Sequence, residues 1–144
     1  MNVLYLCGPN LGALGTREPE TYGSQTLDEI MQAVEARGAD LGHSVTWRQS
    51  DHEGDLIGWL LGAAGEGADA VVLNPGALAH SSYTLRDAVA ACAMPVIEVH
   101  MSNIYAREPF RQTSVISGVC RATIGGLGAG GYHLALEAMP WITG

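Results

Sequence analysis

Lysine is absent from this chain: all seven basic residues are Arg, set against fifteen acidic ones for a net charge of −8. That absence excludes a lysine Schiff base, a P-loop lysine and a pyridoxal imine, and it leaves Arg as the only permanent side-chain cation for an anionic ligand. The acidic balance argues against a nucleic acid or an anionic membrane surface as partner, so small molecules and proteins remain. Cysteine is sparse and odd in number. Cys7, Cys92 and Cys120 each sit in an apolar stretch and read as buried thiols, not as disulfide or metal ligands. No apolar run approaches the roughly 18 residues that cross a bilayer, and the first residues carry no basic segment, so a cytoplasmic protein with no membrane partner is expected.

What is present is a hydrophobic share of 47% in 144 residues, enough for one domain over residues 1–144 with a sizeable core. Apolar runs alternate with helical patterns. Strands are expected near Asn2 to Cys7, Ser44 to Gln49, Ala70 to Asn74, Pro95 to His100 and Ala122 onward. Between them Leu27, Ile30, Met31 and Val34 recur at helical spacing with Gly42 as a stop. Leu56, Ile57, Leu60 and Leu61 mark a second helix, Leu85 to Cys92 a third, and Tyr132 to Met139 a closing one. Such alternation predicts an α/β fold: a flavodoxin-like three-layer sandwich around a five-stranded parallel sheet.

The loop after the first strand departs from the usual economy of such folds. Residues 8–24 separate that strand from the first helical pattern, where βα loops take roughly 2 to 6 residues. Its glycines supply hinges and Pro9 and Pro19 restrict the backbone, a composition that suits a lid carrying Arg17 and Tyr22. Making a tyrosine phenolate available at neutral pH requires roughly 4 kcal/mol. A guanidinium at about 4 Å in an effective dielectric near 20 supplies a comparable term. Arg17 and Arg107 are the candidates to provide it once the lid excludes water. Taken alone, the loop reads more readily as carrying a surface tyrosine packed on its own loop, a reading that weakens once the partner residues are counted.

In a parallel sheet, ligands bind beyond the carboxyl ends of the strands, and four polar clusters gather there. They are Asn10, Arg17 and Tyr22; Ser50-Asp51-His52-Glu53; Asn74 to His80; and Glu98, His100, Ser102, Asn103 and Arg107. Glu98 and His100 point to one face of their strand, so the carboxylate orients the imidazole and raises its basicity, an arrangement suited to a general acid. Asn74 and His80 read as hydrogen-bond partners for hydroxyl groups. Each cluster by itself also fits capping or turn chemistry, with Ser81 or Ser82 as an N-cap.

The blocks GPNLGALGTREPETYG, QSDHEGDLI, NPGALAHSSYTLRDA, PVIEVHMSNIYAREPFR and GLGAGGYHLAL, in this order and over nearly the whole chain, resemble the type II 3-dehydroquinate dehydratases. The resemblance implies dehydration of 3-dehydroquinate to 3-dehydroshikimate through an enolate, with no cofactor and no metal. It implies Tyr22 as proton acceptor beside Arg17, His100 as proton donor oriented by Glu98, and Asn10 stabilising the enolate through a water. Asn74, His80 and Arg111 would bind substrate hydroxyls, while the Met101 and Ser102 amides and the Ser102 hydroxyl would hold the carboxylate. Asp87 corresponds to an aspartate that reaches across a subunit boundary, in a homo-oligomer of trimers grouped as a dodecamer. Gly12, Asp51, Tyr83 and Tyr105 depart from the family pattern without touching the expected acid, base or carboxylate clamp.

Two other classes compete with this reading. A flavodoxin-like nucleotide- or flavin-binding module would use Gly8 to Gly15 or Gly125 to Gly131 as a phosphate cradle. The first of these does not run straight into a helix, and the second is better explained by close helix packing. A metal-dependent hydrolase would draw on His52, Glu53, His80 and His100, but the chain has no His-x-x-x-His spacing.

Overall fold

The computed structural model describes residues 1–144. In chain order it consists of β1 (Asn2–Cys7), the one-turn helix α1 (Pro19–Tyr22), α2 (Leu27–Asp40), β2 (Ser44–Gln49), α3 (Glu53–Gly62) and β3 (Ala70–Asn74). α4 (Tyr83–Ala91), β4 (Val96–His100), β5 (Ala122–Gly125), α5 (Gly130–Glu137) and a short α6 (Met139–Ile142) complete it. The strands form one sheet in the order β2-β1-β3-β4-β5 with every pairing parallel. This is the α/β architecture that the alternating pattern predicts.

Burial on both faces explains why the central strands read as continuous apolar runs. All of β3 is buried, and β1 exposes only Asn2. Val3, Tyr5 and Cys7, with Val72, Ile97 and Val99, face a core completed by Ile30, Met31 and Val34 of α2 and by Tyr132 and Leu136 of α5. The alternate residues Leu4, Leu6, Val71, Leu73 and Val96 face the opposite way, onto Leu56 and Leu60 of α3 and Leu85 and Val89 of α4. Each such side chain contributes about 1.5–3 kcal/mol by leaving water. β2, at the edge, buries none of its six residues fully: Ser44 and Thr46 are exposed and the other four only partly covered.

Local chemistry sets the helix ends. Thr26 accepts from the Glu29 amide at 3.2 Å to start α2, and Gly42, at φ +78°, follows its end. Ser82, not Ser81, is the side-chain N-cap of α4, accepting from the Leu85 amide at 3.0 Å.

The chain leaves β1 and β3 toward opposite sides of the sheet, and a crevice opens between them at their carboxyl ends. The two strand exits nearly touch there: the Gly8 amide donates to the Asn74 carbonyl at 2.8 Å. A Cβ on Gly8 would lie 2.8 Å from the Pro75 carbonyl oxygen, so only glycine fits. Two long segments arch over this end. Residues 8–24 are less bare than the expected lid, because Leu11 and Leu14 are buried in the core and α1 adds a helical turn. The connection from β4 to β5 lacks a long helix and is built from the 3-10 turns Ile104–Ala106, Pro109–Arg111 and Ser117–Val119.

Candidate active site

The crevice is a cavity of about 480 Å³ including its mouth, and its walls include Asn10, Arg17, Tyr22, Asn74, His80, His100, Met101, Ser102, Arg107 and Arg111. Ten residues named from sequence therefore converge from three strand exits and the lid. Two do not line it. Glu98 lies behind His100, fully buried. Asp87 lies on the exposed face of α4, in a shallow groove with Ile57, Leu61 and Ala91, away from the cavity of its own chain.

α1 carries Tyr22 over the crevice and against the core. Arg107 Nη1 donates to the Tyr22 hydroxyl oxygen at 2.8 Å. A guanidinium can only donate, so the phenolic oxygen presents a lone pair to a cation, the arrangement that stabilises a phenolate. Arg17 and Arg107 also sit 5.2 and 5.5 Å from the Tyr22 ring centre. Arg107 reaches the Ser102 hydroxyl at 3.4 Å and pairs loosely with Glu18 of the lid at 3.8 Å, while Arg111 pairs with Glu108 at 2.5 Å. Arg17 makes no ion pair. Three of the seven guanidiniums thus line one cavity of an acidic protein, which focuses positive potential where an anion would enter.

On the opposite wall, His100 Nε2 donates to Glu98 Oε1 at 2.6 Å. Ser114 donates to the same oxygen at 2.7 Å, and the Ser117 hydroxyl donates to Oε2. Burial pushes the Glu98 carboxyl up, but hydrogen bonds from His100 and Ser117, the His100 charge and the Ser114 bond outweigh it and hold the group below its ordinary range. The carboxylate fixes Nε2 as a protonated nitrogen and leaves Nδ1 for other chemistry. The His80 ring lies nearly parallel to that of His100, with centres 6.3 Å apart. His80 Nδ1 meets the Thr113 carbonyl at 2.9 Å. A carbonyl only accepts, so Nδ1 carries the proton and Nε2 is an acceptor suited to a hydroxyl.

Asn74 is pinned from below. Its Nδ2 donates to the Tyr132 hydroxyl at 2.7 Å and its Oδ1 accepts from the Gly76 amide at 3.1 Å. Tyr132 in turn accepts at its carbonyl from the Tyr5 hydroxyl at 2.8 Å and bonds the Cys7 thiol, which burial pushes up to about 12. Cys7 is thus a structural thiol.

The cluster after β2 does not join the cavity. Asp51 instead accepts from the Asn10 amide at 2.9 Å and Gln49 at 3.1 Å, and Ser50 bonds Asp55 at 2.6 Å. Glu53 accepts from Ser82 at 2.9 Å and Thr84 at 2.6 Å. β2 is separated from the crevice by β1, so its polar exit braces the loops that hold Asn10 and the start of α4. In the two glycine runs that could form a phosphate cradle, Gly8 and Gly131 serve close packing. Gly131 brings α5 against the sheet, where a Cβ would lie 3.2 Å from Val99.

Sequence reasoning missed Ser114, Ser117, Tyr132 and Glu18. None has a local signal, because their partners lie across the fold. Nowhere in the chain do three or more His, Cys, Asp or Glu side chains converge as metal ligands.

A family model described as class II dehydroquinase matches residues 1–140. The 3-dehydroquinate dehydratase of Deinococcus radiodurans is 55% identical over 135 residues, 94% of each chain. That of Roseiflexus castenholzii is 52% identical over 144 residues, 100% of this chain and 89% of the relative. The crystal structure of type II dehydroquinase from Propionibacterium acnes superposes with a TM-score of 0.92 at 45% identity, covering 96% of this chain and 94% of that one.

Proposed function

The chain belongs to the class II dehydroquinase family, and from that premise we propose that it dehydrates 3-dehydroquinate to 3-dehydroshikimate with Tyr22 as base and His100 as acid. The observation that carries this assignment is the Tyr22 oxygen held by Arg107, in the same cavity as the Glu98-bound His100. The Tyr22 phenolate takes the proton from the carbon beside the ketone, and the C–H electrons move into an enolate. Re-forming the ketone expels the β-hydroxyl, which leaves as water with the His100 proton. A conjugated enone remains, and both side chains return to their starting states by proton exchange with solvent.

The other residues bind and orient. Arg17 and Arg107 stabilise the phenolate, and Asn10 supports the enolate through a water. The Met101 and Ser102 amides and the Ser102 hydroxyl hold the substrate carboxylate, while Asn74, His80 and Arg111 receive its hydroxyls. Asp87 serves a neighbouring copy across a subunit boundary, in trimers assembled to a dodecamer that light scattering would size. The enzyme works in the cytoplasm, either in aromatic biosynthesis or in quinate breakdown. No helix is long and apolar enough to cross a membrane.

Purified protein mixed with 3-dehydroquinate should give rising ultraviolet absorbance from the enone. Borohydride added during turnover should leave the activity intact, because no imine forms. Covalent trapping of substrate, or no absorbance change, would refute the reaction.

A further inference from the structure

The β4–β5 connection contributes more than Arg107 and Arg111. Ser114 and Ser117 direct two hydroxyls onto a carboxylate that is 0% exposed. Glu98 is sealed from bulk solvent, and an ionised carboxylate in such a place persists only when charge partners and hydrogen-bond donors replace its hydration. We propose that Ser114 and Ser117 are positioning residues for His100: by donating one hydrogen bond to each Glu98 oxygen they keep it an anion, so that the imidazole stays charged with a proton to give from Nδ1. The proposal rests on the reading of His100 as the acid.

Without the hydroxyls, burial is opposed only by His100 and Glu98 binds a proton more readily. His100 then loses the anion that favours its charged form, and the imidazolium is lost at a lower pH. Other titratable groups face this pair. His80 stacks on His100. The thiol of Cys120, raised to about 12 by burial and then by the Glu98 charge, stays neutral. Tyr22, Arg17, Arg107 and Arg111 share the cavity. The guanidiniums disfavour a charged imidazole, and the carboxylate held by its two hydroxyls favours one.

The two serines differ in a way the test can use. Ser114 also accepts from the Ile116 and Ser117 amides, both at 3.2 Å, so its removal disturbs the turn as well. The Ser117 hydroxyl bonds only Glu98. The experiment follows the His100 ring by NMR in full-length protein labelled at histidine, with the signal assigned by its loss in His100→Gln. In Ser117→Ala the titration midpoint should fall, and in Ser114→Ala/Ser117→Ala by about one pH unit or more. The alkaline limb of kcat should move down with it, kcat at neutral pH should drop about tenfold or more, and KM should hold. Ser117→Thr should restore all three. If the double variant does not fold, Ser117→Ala alone decides.

An unmoved His100 midpoint in folded Ser117→Ala overturns the proposal even if kcat falls, and so does Ser117→Thr behaving like Ser117→Ala. A wild-type protein that fails to turn over 3-dehydroquinate overturns the assigned reaction instead, and the titration still decides the role of the serines.

Discussion

The exits of β2 and β4 are built from similar material at the same end of one sheet: Ser50-Asp51-His52-Glu53 after one, His100-Met101-Ser102-Asn103 after the other. Each has a carboxylate under two hydroxyl donors, Glu53 within the first exit under Ser82 and Thr84, Glu98 two residues before the second, on β4 itself, under Ser114 and Ser117. Yet one is scaffolding and the other holds an imidazole in the cavity. The difference lies in depth and neighbours. Glu98 is fully buried on an inner strand beside the crevice. Glu53 is partly exposed at the start of α3, behind an edge strand. Similar hydrogen-bond chemistry therefore holds an imidazole at the cavity in one place and pins a helix in the other.

The sharpest way to break this contrast is to remove the proposed base and acid themselves. Tyr22→Phe and His100→Gln should each lower kcat by about 10²- to 10⁴-fold while circular dichroism and the melting curve stay as in wild type. Steady-state rates near wild type in both variants would remove the distinction between the two exits.

A smaller effect is expected from Glu98→Gln, and it should depend on pH. The native Glu98 carboxyl lies below its ordinary value of 4.5, so the ionised group contributes stability in full above about 4.5. That contribution disappears as pH falls through the lower native value. Glu98→Gln should thus be less stable than wild type at neutral pH, and the gap in urea midpoints should narrow on acidification. A gap that is constant across the acid range would show that the carboxylate is not held ionised.

The smallest effect belongs to the β2 side. Glu53→Ala should cost about 1 kcal/mol in a urea melt, the worth of its lost hydroxyl bonds, with kcat unchanged. A large loss of kcat would place that cluster in the catalytic machinery after all.

Much of the fold is legible from residue pattern. β-Branched and leucine runs mark the buried strands, the spacing of Ile30, Met31 and Val34 marks α2, and Ser82 announces α4 by a local hydrogen bond. The candidate acid is legible because Glu98 and His100 are neighbours on one strand face, and Tyr22 stands out for its long loop. What lies beyond short range is not. Nothing near Ser117 says that it faces Glu98, or near Tyr132 that it anchors Asn74. The reverse error has the same origin, since a polar strand exit such as Ser50–Glu53 looks alike whether it faces a ligand or its own loops.

By itself, the sequence determined the elements, the all-parallel sheet and the types of chemistry on offer, including the exclusion of any lysine mechanism. Those properties follow from side-chain period, backbone preference and residue inventory, which are carried within a few positions along the chain. Tertiary structure alone decided which polar groups meet: the order β2-β1-β3-β4-β5 opens the crevice between β1 and β3, sends the β4–β5 connection over it, and seals Glu98 from water. Charge and hydrogen-bond energies depend on distance and burial in space, and only the folded chain sets those.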